Sequence, residues 1–162
     1  MAFRLMSEDL KDGGQLALAQ VYNGMGHHGG NTSPQLSWAD PPAGTQSFAL
    51  TLFDPDAPTG SGWWHWLVAN IPADCSSLPR GAGSGQAALP RGAVMARNDY
   101  GSSDFGGAAP PPGPAHRYIF TLYALKVGHI EVDSHSSGAK VGFMVNMNRL
   151  ATATLTAHYA AQ

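Results

Sequence analysis

Glycine and proline interrupt this chain so often, 20 and 12 times in 162 residues, that most intervening segments suit a strand better than a helix. The expected fold is therefore mainly β. In Ser47-Phe-Ala-Leu-Thr-Leu-Phe53, residues Phe48, Leu50 and Leu52 fall on one face and Ala49, Thr51 and Phe53 on the other. This two-residue period marks a strand apolar enough to sit inside a sheet. Segments 64–70 and 118–125 read the same way. Between residues 141 and 159 the pattern changes, because Phe143, Met147, Leu150, Ala151, Leu155 and Tyr159 recur at spacings of three and four. That spacing predicts a C-terminal amphipathic helix laid against the sheets. Segments 81–92 and 99–114 are rich in glycine and proline and read as loops inside one domain spanning 1–162, since no repeat or composition break divides the chain.

Composition excludes several functions. Charged residues make up 12% of the chain and the formal net charge is -2, so there is no basic stripe for DNA or RNA. Cys75 is the single cysteine, which rules out an intramolecular disulfide, a thiolate zinc site and a paired redox motif. Glu8 and Asp9 stand where a secretory signal needs an apolar run, and no stretch approaches the length of a membrane span. A soluble, cytoplasmic protein without stable membrane insertion is expected.

Polar residues gather at the ends of the expected strands. Asp54-Pro-Asp-Ala-Pro58 leads into Trp63-Trp-His-Trp66, and Pro110-Pro-Pro-Gly113 leads into His116-Arg-Tyr118. Continued by one step, the strand through Phe53 puts Asp54 on the face of Phe48, Leu50 and Leu52, where Pro55 and Pro58 end regular pairing. His116 and Tyr118 share a face with Phe120 and Leu122, while alternation puts His65 with Leu67 and Ala69. Histidine and tyrosine donate to phosphate or carboxylate oxygens, and glycine-loop amides add further donors. Asp54 beside an imidazole would orient the ring and favour its protonated form, a charged donor worth about 1.5–3 kcal/mol per hydrogen bond. Such a pocket suits a phosphate that carries a polar head.

These segments, with Gly30-Asn-Thr-Ser-Pro-Gln-Leu-Ser-Trp38, Asn98-Asp-Tyr-Gly101, Phe105-Gly-Gly107 and His116-Arg-Tyr-Ile-Phe-Thr-Leu-Tyr123, resemble the phosphatidylethanolamine-binding protein family. Within it they resemble the bacterial Raf-kinase-inhibitor-like branch, in motif order from about Phe3 to Tyr159. The resemblance implies a Greek-key antiparallel β-sandwich with a C-terminal helix. It also implies a small anion pocket at one end, able to take a head group and leave acyl chains outside. Its residues would be Asp54, Pro58, Trp63, His65, His116 and Tyr118, with Gly107 and Pro110 in the wall. No cofactor is implied, a homodimer is the suggested assembly, and no protein target is named. Two departures stand out. Gly107-Ala-Ala-Pro-Pro111 replaces the Gly-Pro-Cys-Pro-Pro of many bacterial relatives, so Ala108 and Ala109 reshape the wall, and His27 stands where some relatives carry a cysteine.

Binding without turnover is the expected function, because Cys75 lies far from the motifs and no serine occupies a nucleophile-elbow context. The alternative is a metal-dependent enzyme holding iron or zinc on Asp54, His65 and His116, although their spacing departs from the close His-x-Asp pairing of cupin-like oxygenases. A third reading has the same pocket modulating a protein partner. Several residues have plainer roles: Trp63, Trp64 and Trp66 as packing, Asp56 as a partner of backbone amides, and Arg117 as a surface or salt-bridge residue on the face opposite His116. His27 and His28 read as surface residues of a glycine loop, and His129, His135 and His158 receive no role.

Overall fold

In the computed structural model, which describes residues 2–162, two antiparallel sheets face one another. The smaller contains β1 (Arg4–Met6), β2 (Leu36–Ala39) and β5 (Ser77–Leu78), with β2 in the middle. The larger runs in the order β6 (Val94–Met95), β4 (Trp63–Pro72), β3 (Ser47–Asp54), β7 (His116–Leu125) and β8 (Arg149–Tyr159). After β6 the chain crosses the sheet so that β7 pairs with β3, the long connection that gives the sandwich its Greek-key character.

Both faces of the larger sheet are covered. Between the sheets, Phe48, Leu50 and Leu52 of β3 meet Trp66, Phe120 and Leu155 from its neighbours and Leu36 and Trp38 from β2. On the outer face Ala49, Leu67 and Ala69 pack with Val141 and Val145 of the helix α1 (Gly138–Asn148). Two-sided burial is why β3 reads as an almost continuous apolar run.

The C-terminal helix is real but shorter than its expected span, and it buries a different face. Ser137 caps it, accepting the Lys140 backbone N–H at 3.1 Å, and Gly138 lets it approach the sheet, since a Cβ there would come within 2.3 Å of the Trp64 ring. Val141 and Val145, four residues apart, are fully buried, whereas Phe143 and Met147 are 64% and 59% exposed. From Arg149 onward the chain is strand, paired with β7 from Leu125↔Arg149 to His116↔Tyr159. Ala153, Leu155, Ala157 and Tyr159 point to the core, and Thr152, Thr154, Thr156 and His158 occupy the alternate positions. Alternating β-branched residues favour this pleated arrangement, and the helical spacing of Leu150, Ala151, Leu155 and Tyr159 was coincidental. No helix among the described residues is long and apolar enough to cross a membrane.

Candidate functional site

Where β3 ends and β4 and β7 begin, the sandwich opens into a cavity of about 830 Å³. Seven of the eight expected residues line it: Asp54, Pro58, Trp63, His65, Pro110, His116 and Tyr118. Gly107 stands behind the wall instead. Its N–H donates to the Asn31 side chain and its carbonyl accepts the Tyr100 hydroxyl, each at 2.7 Å, and a Cβ there would meet the Gln20 carbonyl at 2.4 Å. Of the two alanines in the altered segment, Ala109 lines the cavity while Ala108 is buried and bridged to Val21. The cavity is not the small head-group pocket expected. It continues past Leu18, Val21 and Met25 on one side and residues 110–112 on the other, an apolar surround supplied by loops that strand periodicity does not register.

Regular strand geometry delivers Asp54 and His116. Both are buried, and the His116 Nδ1–H donates to Asp54 Oδ2 at 2.7 Å. The other carboxylate oxygen, Oδ1, accepts the Asp56 N–H at 2.8 Å. Asp56 is itself clamped by Arg117, whose backbone N–H, Nε and Nη2 all donate to its carboxylate at 2.9–3.0 Å. The guanidinium and amide of Arg117 hold the Asp56 carboxyl down at about 2. Asp56 and Arg117 thus have the structural roles expected of them, as a brace for Asp54.

His65 arrives by a different route. Leu52 pairs with Trp66 and Phe53 with Trp64, so His65 is the extra residue of a β-bulge. The bulge turns its ring into the cavity beside Asp54 and Tyr118, away from the face of Leu67 and Ala69 to which simple alternation assigned it. Its Nδ1–H donates to the Gly106 carbonyl at 2.7 Å, and the Gly106 N–H returns a bond of 2.9 Å to the His65 carbonyl. Tyr100 and Tyr118 flank the ring edge-on at 5.6 and 5.4 Å. Burial dominates this environment and pushes the imidazole below its ordinary range, so His65 is neutral.

Two further donors lie within the cavity wall without partners. The Trp63 Nε1–H and the Tyr118 hydroxyl are both buried and within hydrogen-bond distance of no partner, the hydroxyl lying close to the Asp54 carboxylate. Burial, reinforced by the charge of Asp54, pushes the Tyr118 phenol upward, so it keeps its proton and can donate.

This arrangement does not make Asp54, His65 and His116 a three-ligand metal set. Asp54 accepts from His116 through one oxygen and from the Asp56 N–H through the other, and so orients the ring. Among the described residues no group of three His, Cys, Asp or Glu is disposed to hold a metal.

Other cavity residues escaped the sequence reading. Tyr100, which stacks on Tyr22 at 4.1 Å and meets Trp63 edge-on at 5.3 Å, forms the wall beside His65. Its signal was available in Asn98-Asp-Tyr-Gly101. His27 is not a free surface residue, because its Nε2–H donates to the Pro110 carbonyl at 3.1 Å and joins two loops across the cavity rim. His28 is exposed yet also lines the opening, and Tyr159 at the end of β8 completes the wall. Nothing in the glycine-rich segment around His27 marked that contact.

Residues 6–160 match the family profile described as phosphatidylethanolamine-binding protein. The chain is 54% identical over 157 residues to the UPF0098 protein YbhB of Escherichia coli strain K12, a match covering 97% of this chain and 99% of the relative. To the UPF0098 protein YbcL of the same strain it is 54% identical over 160 residues, covering 98% and 87%. The crystal structure of E. coli YbcL, described as a new member of the mammalian PEBP family, superposes with a TM-score of 0.97 at 52% identity over 100% of both chains. A putative phosphatidylethanolamine-binding protein homolog from Chlamydia trachomatis gives a TM-score of 0.83 at 27% identity, covering 99% of each.

Proposed function

The chain belongs to the phosphatidylethanolamine-binding protein family, and from that premise we propose that it binds, without turnover, a small ligand bearing a phosphate or carboxylate group. The observation that carries this reading is the pair of buried, unpartnered donors, Trp63 Nε1–H and Tyr118 O–H, beside an imidazole backed by Asp54. Buried donors left unpaired cost about 1–3 kcal/mol each, and an oxyanion in the cavity would relieve both. Asp54 fixes the orientation of the His116 ring against the bound anion. The apolar surround of Leu18, Met25 and residues 110–112 supports contact with the rest of the ligand beyond its head. A single cysteine agrees with a cytoplasmic working environment.

The test is a proton–nitrogen NMR titration of the histidine rings with inorganic phosphate and phosphoethanolamine. Saturable shifts at His65 and His116 are expected, with weaker binding in Tyr118→Phe. Rings that do not respond to either compound would refute the site.

A further inference from the structure

His65 and His116 both turn their Nε2 toward the cavity, but their Nδ1 partners differ in kind. A backbone carbonyl can only accept, so the Gly106 contact requires the proton on His65 Nδ1. His65 Nε2 makes no hydrogen bond within the protein. No carboxylate bonds that nitrogen: Asp54 accepts from His116 and from the Asp56 N–H, Asp99 accepts the Trp64 N–H at 2.7 Å, and both act on the ring only through their charge. The remaining titratable neighbours are the phenols Tyr100 and Tyr118, which meet the ring edge-on, and His116 across the cavity. The ring therefore shows the ligand a lone pair, while His116, with Asp54 behind it, can show an N–H.

Resting on the anion-site reading above, we propose that the cavity pairs a donor imidazole, His116, with an acceptor imidazole, His65, and thereby selects a phosphoryl group that still carries a proton. A phosphate monoester or free phosphate in its monoanionic form has that P–O–H, which donates to His65 Nε2 while the anionic oxygens take the donors of His116, Tyr118 and Trp63. A phosphodiester, the form found within a glycerophospholipid, has no such proton and sets an anionic oxygen against the His65 lone pair. His65 thus determines specificity, and the ligand class is the monoester and not the intact diester.

Methyl phosphate and dimethyl phosphate separate the two, measured by calorimetry at about pH 5 and about pH 8, on either side of a second phosphate ionisation near 6. Methyl phosphate at the lower pH should bind about tenfold tighter than at the higher pH, and about tenfold tighter than dimethyl phosphate at either, the factor expected when a buried acceptor goes unmatched. In His65→Gln, whose amide can turn an N–H to the ligand, the preference should collapse while binding persists. Equal affinities for the two probes at low pH would overturn the proposal and leave the phosphate site intact. So would a nitrogen-15 signal showing His65 Nε2 protonated in the methyl phosphate complex, or an undiminished preference in His65→Gln. Binding of neither probe would remove the anion site itself, and this proposal with it.

Discussion

The mouths of β7 and β4 each bring one histidine to the same cavity, but by different constructions. At β7 the strand is regular: His116, Tyr118, Phe120 and Leu122 alternate inward, and a side chain from the adjacent β3, Asp54, fixes the ring. At β4 the ladder is broken by one residue, and a loop backbone, Gly106, fixes the ring. A carboxylate partner lets an imidazole accept positive charge, whereas a carbonyl partner in a dry wall holds it neutral. Two residues of one type therefore offer the ligand opposite hydrogen-bonding roles.

The largest effect should come from Asp54→Ala, which attacks the β7 side. It leaves His116 Nδ1–H and the Asp56 N–H without their acceptor in a buried setting. A stability loss of about 3 kcal/mol is expected, as for a broken buried pair. Phosphate affinity should fall by about tenfold or more. Urea denaturation and calorimetry check both, and unchanged phosphate binding would mean that Asp54 does not organise the site.

Gly106→Ala strikes the β4 side. A Cβ at this position would stand 2.4 Å from the Tyr100 ring, so the loop must shift and carry its carbonyl away from His65. The strain should cost about 2 kcal/mol. Ring signals of His65 should move while those of His116 stay, because the Asp54 contact is made elsewhere. Equal displacement of both rings would show that the two mouths are one mechanical unit.

The same contrast separates what the sequence made legible from what it concealed. Alternation along β3 and β7 placed Asp54, His116 and Tyr118 on the correct face, because both strands keep strict period where they enter the cavity. It misplaced His65, since one inserted residue reverses every later side chain and a bulge carries no compositional mark. The motif resemblance still brought His65 into the site, because a motif preserves the residue without needing its orientation. In residues 149–159, threonines at 152, 154 and 156 were the strand signal, outweighed by an apolar spacing that fits either structure. His27 and Tyr100 reach the cavity from loops, where neither period applies.

Stability against pH probes the neutral state of His65 directly. Its folded-state value is lowered, so the unfolded chain binds more protons around pH 6.5, the ordinary histidine value. The contribution is then fully present above about pH 6.5 and lost as pH falls. Melts of the protein and of His65→Gln between about pH 7.5 and about pH 5 should diverge, with the variant less sensitive to acid across this window. Parallel curves would mean that His65 protonates freely in the fold and that the two mouths are electrostatically alike. Asp56 does not confuse the result, because its window lies lower, between the ordinary 3.8 and about 2.

Arg117→Ala should produce the smallest change, and its size tests how the brace behind Asp54 is divided. The substitution removes Nε and Nη2 from Asp56 but leaves the residue 117 backbone N–H, which also bonds that carboxylate at 2.9 Å. Asp56 can therefore keep its place and its own N–H can still hold Asp54. Arg117 is largely exposed, where solvent screens ion pairs, so phosphate affinity should change by less than about threefold. The Asp56 carboxyl should nevertheless rise from about 2 toward 3.8, because the guanidinium is the largest cause of its depression. Carbon-13 NMR of the Asp56 carboxyl across the acid range reads this shift. An unmoved carboxyl would assign the clamp to the backbone alone, while a collapse of phosphate binding would make the exposed ion pair part of what orients His116.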